Sequence, residues 1–135
     1  MAVEWDAAAI RAKIEAAAMR GVITGAAAVQ DDGTRRIQSP PKSGRIYVRR
    51  GVSHQASAPG EAPANDTGRL ANSTDIRYDV PVLAAYVNWA AGYARALEYG
   101  TERMEPRPFA RPSLIAKEKT IRDAIASEIA QVLQR

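Results

Sequence analysis

Tyr93-Ala94-Arg95-Ala96-Leu97-Glu98-Tyr99-Gly100-Thr101-Glu102-Arg103-Met104-Glu105-Pro106-Arg107-Pro108-Phe109-Ala110-Arg111-Pro112-Ser113-Leu114 is the stretch that decides the fold. Residues 92–99 read as a short helix. Gly100 ends it, because glycine adopts the left-handed conformation of a helix C′ position without steric cost. Pro106, Pro108 and Pro112 then hold the chain extended, since each proline fixes its own φ and biases its predecessor away from the helical region. Pro112 opens a second predicted helix at its first position, running over 113–133. Glu98, Tyr99, Gly100 and Thr101 therefore form a stop, and Pro106 to Pro112 an elbow: a rigid corner between two helices, with no catalytic group that stands out. Phe109, the only phenylalanine, reads as the core anchor of the corner. Glu98 has two readings, a helix cap with Tyr99 in the core or a carboxylate presented at a subunit interface. Arg107 and Arg111 flank Phe109 and are expected to project outward, toward a neighbour's acidic groups or toward water.

Working outward, Ile121, Ile125, Ile129 and Val132 make one apolar stripe on the C-terminal helix. Residues 4–29 read as an alanine-rich N-terminal helix with Ile10, Ile14 and Ala17 at helical spacing, and Trp5 is expected to cover one end. Gly21 and Gly25 weaken that expectation, each costing about 1 kcal/mol relative to alanine inside a helix. Asp31-Asp32-Gly33 is the predicted stop. Between the helices, Ile76, Tyr78 and Val80 alternate with Asp75, Arg77 and Asp79. Leu83, Ala85, Val87 and Trp89 alternate with Ala84, Tyr86 and Asn88. These are two half-buried strands close enough in sequence to pair as an antiparallel hairpin, interrupted near Pro81. Thr67-Gly68-Arg69-Leu70 begins one or two helical turns, with Asp66 or Thr67 as the N-cap. Arg69 reads as Arg107 does, a partner's cation or a solvated one.

Residues 33–66 break every period with Pro40, Pro41, Pro59 and Pro63. They read as an extended arm, with Ile46-Tyr47-Val48 as one side of a hairpin. A loop of this length in a small domain is usually functional or disordered. The charge is concentrated there: Arg35, Arg36, Lys42, Arg45, Arg49 and Arg50 face no Asp or Glu between Gly33 and Gly60, so the segment is +6 while the whole chain is +4, leaving −2 for the rest. Three uses remain open for these cations: non-specific attraction to DNA phosphates, docking on acidic protein surfaces with ordering on binding, or a solvated loop. Only Tyr47 and His54 are interleaved, too few for base-stacking recognition of a single strand.

At 135 residues the chain is one domain, 1–135. The absence of cysteine excludes a disulfide scaffold, a thiol nucleophile and cysteine-ligated zinc. One histidine, His54, disfavours a histidine metal site or catalytic triad. No phosphate loop or nucleophile elbow occurs. The expectation is no catalytic, cofactor-binding or metal site, hence no enzyme and no cofactor. No run approaches the ~20 apolar residues of a membrane span, and Glu4 and Asp6 stand where a secretory leader would be cationic.

Two blocks carry a family resemblance. Ala58-Pro59-Gly60-Glu61-Ala62-Pro63-Ala64-Asn65-Asp66-Thr67-Gly68-Arg69-Leu70 is similar to a "PGxPP…TGxL" passage, and Tyr93 to Pro112 to a "YA…vEfGT…m.arPFlrPal" passage. In this order and spacing the chain resembles the neck, head–tail joining or tail-completion proteins (minor tail components) of lambdoid-type siphophages. Ala91-Gly92 departs from that pattern just before Tyr93. The resemblance implies a virion structural protein at the head–tail junction, assembled in the host bacterial cytoplasm. It implies a homo-oligomeric ring, with the head-closure or connector protein and the tail terminator or tail tube as neighbours. Non-specific contact with genomic DNA in the channel is compatible with it. The expected fold is α+β: a short antiparallel sheet packed by a long N-terminal and a long C-terminal helix, with an extended basic loop or hairpin arm. The alternative is a small basic nucleic-acid-binding protein.

Overall fold

The computed structural model describes residues 2–39 and 42–135. Its spine is an antiparallel helix pair. Helix α1 (Ala7–Gln38) begins with Asp6, whose side chain accepts from the Ala9 N–H at 3.0 Å, and helix α4 (Ala110–Leu133) returns along it. The Gly33–Ser113, Gly25–Ile121, Gly21–Ile125 and Arg20–Glu128 contacts set the register. Gly21 and Gly25 are buried against α4, and a Cβ on Gly21 would lie 2.4 Å from the Ile125 Cα. These glycines weaken helix propensity and are required by packing. Ile121, Ile125, Ile129 and Val132 are half-buried on the α1 side of α4. The first turns of α1 are exposed, and Trp5 is 72 % exposed, so it covers nothing.

The predicted stop at Asp31-Asp32-Gly33 does not stop the helix. Asp31 and Asp32 pair with Arg35 and Arg36 one turn on, the spacing that supports a helix. Gly33 is buried because a Cβ there would strike the Trp89 indole at 2.5 Å. The arm therefore does not begin at 33; Arg35 and Arg36 belong to the last turn of α1, whose C-cap is Ser39.

Strands β1 (Ile46–Arg49) and β2 (Val52–Gln55) form an antiparallel hairpin with Tyr47 opposite His54. Its two-residue turn, Arg50-Gly51, has φ of 51° and 78°, both left-handed as a type I′ turn requires. The chain then runs back across the body: Ser57 and Pro63 are buried, so the extended part is shorter than 33–66. Helix α2 (Arg69–Asn72) starts from Gly68 at φ 77°, not from an Asp66 or Thr67 cap. Strands β3 (Thr74–Asp79) and β4 (Ala84–Trp89) pair as expected, Ile76 opposite Val87 and Thr74 opposite Trp89, to make a second two-stranded sheet. Leu83 lies before β4 at φ 53° and is not part of its inner face. On the outer face Arg77 sits 5.1 Å above the Tyr86 ring.

Helix α3 (Ala94–Tyr99) is capped by Gly100, whose N–H donates to the Ala96 carbonyl at 2.8 Å at φ 74°. The core lies where α1, α2, β4, α3 and the start of α4 meet: Ile37, Leu70, Ala71, Trp89, Ala91, Ala94 and Phe109. Phe109 is 1 % exposed and meets Trp89 edge-on, centroids 5.2 Å apart, a geometry favoured by the ring quadrupoles. The class is α+β, two long helices packed together with two small antiparallel sheets. Among the described residues no helix is long and apolar enough to cross a membrane.

Candidate functional site

The elbow is built around one buried carboxylate. A helix leaves its first backbone N–H groups without intrahelical partners. At α4 these belong to Phe109, Ala110 and Arg111, while Pro112 has none to satisfy. Glu98 supplies all three acceptances: Oε2 takes the Phe109 and Ala110 N–H groups at 2.8 and 3.0 Å, and Oε1 takes Arg111 at 2.8 Å. The helical ladder begins with Ser113, whose N–H and Oγ–H both donate to the Phe109 carbonyl. α4 contains no acidic residue in its own first turn, so the charge favoured at a helix N-terminus comes from α3. Pro112 is the third residue of α4, not its first.

Gly100 caps α3 as the stop predicts, but the readings of Glu98 and Tyr99 need correction. Glu98 is 9 % exposed and spent within the chain, so it is not presented at an interface. Tyr99, 69 % exposed, is not in the core. Thr101 and Met104 close a tight turn, exchanging backbone hydrogen bonds of 2.8 and 3.3 Å. Arg107 does not project freely: its N–H donates to the Leu97 carbonyl at 2.7 Å, its Nε to the Ser57 carbonyl at 3.2 Å and a terminal nitrogen to the Glu105 carbonyl at 3.3 Å. Gly60 N–H donates to the Pro106 carbonyl at 3.0 Å. Pro106 is exposed and Pro108 half-buried; Arg111 and Arg69 are exposed.

The basic candidates divide. Arg35 and Arg36 are paired within α1, and Lys117 comes to 3.9 Å of Asp32 from α4. Burial opposes the Asp32 charge, but the hydrogen bond from Arg36 and the charges of Arg36 and Lys117 outweigh it and hold the carboxyl below its ordinary value. Lys42 donates to the Arg36 carbonyl at 3.0 Å, completing the C-terminus of α1; burial pushes its pKa down against the opposing pull of Glu61. Arg49 is held by Asp66 at 2.7 Å. Arg45 and Arg50 make no ion pair among the described residues and remain exposed on the hairpin.

Two carboxylates hold this region together: Glu61, to which the sequence assigns no role, and Asp66, which the sequence offers only as a helix cap. Glu61 accepts from Ser43 N–H at 3.0 Å, from Ala58 N–H at 2.8 Å and from the Ser43 hydroxyl; these bonds hold its carboxyl down to about 2. Asp66 accepts from Arg49, pairs with His54 Nδ1 at 3.0 Å and meets the Tyr47 hydroxyl at 3.4 Å, while Tyr47 and His54 stack at 5.6 Å. His54 thus helps seat the hairpin.

Two concavities flank these elements. A groove of about 640 Å³ between α1, β4 and α4 is lined by aliphatic side chains including Val29, Val87, Leu114 and Ile121. A cleft of about 770 Å³ lies between the hairpin, α2 and the elbow. Among the described residues there is no cluster of three or more side chains able to hold a metal ion. Compared with known proteins, the chain matches no family model, no curated protein and no solved structure.

Proposed function

We propose that the chain is a structural virion protein of a tailed bacteriophage or prophage-derived particle. Copies form a ring at the head–tail junction that joins or completes the tail and seals the DNA channel. Its partners are further copies of itself, a head-closure or connector protein, and a tail terminator or tail tube protein. It works by assembly and not by catalysis.

The observation that carries this reading is that the two sequence blocks bearing the family resemblance fold onto one another. Gly60 of the first block bonds to Pro106 of the second. Leu70, at the end of the first, shares a core with Phe109 of the second. Glu98 then locks the second block to α4. A motif pair that builds one stiff corner suits a part that must hold its shape between neighbours. Many weak contacts repeated around a ring give strong avidity once a template holds the copies together.

The alternative, a basic nucleic-acid-binding protein, draws on the exposed Arg45 and Arg50. Arg35, Arg36 and Arg49 are already paired internally, which leaves a sparse phosphate-binding surface. Titration of the purified chain with duplex DNA over a range of salt separates the two readings. Weak binding by the isolated chain, with association only to head and tail components, is expected. Tight, steeply salt-dependent duplex binding would favour the alternative.

A further inference from the structure

The cleft under the hairpin is lined by four arginines, Arg49, Arg50, Arg69 and Arg107, and by one acidic residue, Asp66. Four cations against one anion leave an excess of three positive charges converging on one concavity. A cleft lined by one sign of charge focuses its field and draws in the opposite sign. Arg107 is fixed on neutral carbonyls, and Arg50 and Arg69 have no ion pair among the described residues. The lining is mixed, with Leu97 and Met104 contributing apolar side chains.

The cleft also contains an example of what it binds. Asp66 is taken by Arg49, His54 and Tyr47 together. Guanidinium groups match carboxylates in geometry as well as charge. We propose that this cleft receives an extended acidic peptide segment from an assembly partner, its carboxylates answering Arg50 and Arg69 and an aliphatic side chain resting on Leu97 and Met104. Nucleic acid fits less well: Leu97 and Met104 offer nothing to phosphate, and of the two tyrosines lining the cleft Tyr47 is already stacked on His54, which leaves only Tyr93 for a base. The inference deepens the assembly reading by naming the chemistry of one partner contact. It is measured on the purified chain alone, so it fails separately from any role at the head–tail junction.

The test uses the full-length chain and a fluorescein-labelled peptide alternating Glu and Leu, read by anisotropy. Binding that weakens with salt is expected, with Gln-for-Glu peptide failing to bind. Arg50→Asn together with Arg69→Ser should weaken binding at least about tenfold, the loss of one good charge-assisted contact, with an unchanged urea midpoint showing an intact fold. Arg50→Asn is chosen because asparagine tolerates the left-handed turn position. Arg45→Ser, outside the cleft lining, should leave binding unchanged. No peptide binding would overturn the proposal. So would equal loss in Arg45→Ser, or duplex DNA outcompeting the peptide at the same arginines.

Discussion

Glu98 Oε2 accepts the backbone N–H of Phe109, eleven positions further along the chain, at 2.8 Å, so the last turn of one helix caps the first turn of another. This bond and its two companions fix the angle at which α4 leaves the elbow, and they place the Phe109 ring against Trp89. Corner and core are thus one structure.

Glu98→Ala should destabilise the fold by about 3 kcal/mol, because three helix N–H groups lose their acceptor and two of them lie near the buried ring. Glu98→Gln should lose less but still a measurable amount: its amide oxygen can keep the Phe109 and Ala110 N–H groups, while its NH2 faces the Arg111 N–H and the charge at the helix N-terminus is gone. Urea unfolding measures both. A Gln variant within about 0.5 kcal/mol of the parent, the range of an ordinary surface substitution, would contradict the capping role.

Phe109→Ala should cost about 3–5 kcal/mol, the range for emptying a fully buried aromatic site. Phe109→Leu should cost less but still lose the edge-on pair, worth about 0.5–1.5 kcal/mol beyond area. The same unfolding curves, followed by tryptophan fluorescence, check both values.

Gly21→Ala reverses the usual sign of a helix glycine substitution. Propensity alone predicts a gain near 1 kcal/mol. The built Cβ at 2.4 Å from the Ile125 backbone predicts a loss of about 1–3 kcal/mol through overpacking. Gly92→Ala, where a Cβ would meet nothing within 4 Å, is the control and should be nearly neutral. Thermal melts of the two variants decide the point.

Glu61 should shape the acid limb of stability. Its folded-state pKa is lowered from 4.5 to about 2 by the Ser43 hydroxyl and the Ala58 and Ser43 N–H groups. A depressed carboxylate contributes stability that is complete above its unfolded pKa and disappears as pH falls through the folded one. The contribution should therefore fade between about pH 4.5 and pH 2. Glu61→Gln should be less stable than the parent at neutral pH, with the difference closing as pH falls through that window. A difference that stays constant down to pH 2 would contradict this.

Much of the architecture was legible because its signals are local. Gly100 and the prolines announce the elbow, alternation at Ile76–Val80 and Ala85–Trp89 announces β3 and β4, and the isoleucine stripe announces α4. Several of the misreadings involve distant partners. Nothing near Gly33 reveals that Trp89 requires a glycine there, so a packing residue reads as a stop. Asp66 looks like a local cap until the hairpin brings Arg49 and His54 to it. Glu98 could be read as interfacial because its partners lie beyond the elbow. Tyr99 follows an inward-pointing Glu98 and so faces water. Arg35 and Arg36 look like arm residues only if α1 ends early. Of the candidate site, the elbow was visible as a unit, whereas the cleft assembles arginines from the hairpin, α2 and the elbow and has no signature in any one segment.

The most direct test of the proposed head–tail role is electron microscopy of lysates obtained from the genome that carries this gene, with the gene deleted. Separate DNA-filled heads and finished tails, rejoined when the gene is restored, are the predicted result. Intact infectious particles from the deletion strain would contradict the claim.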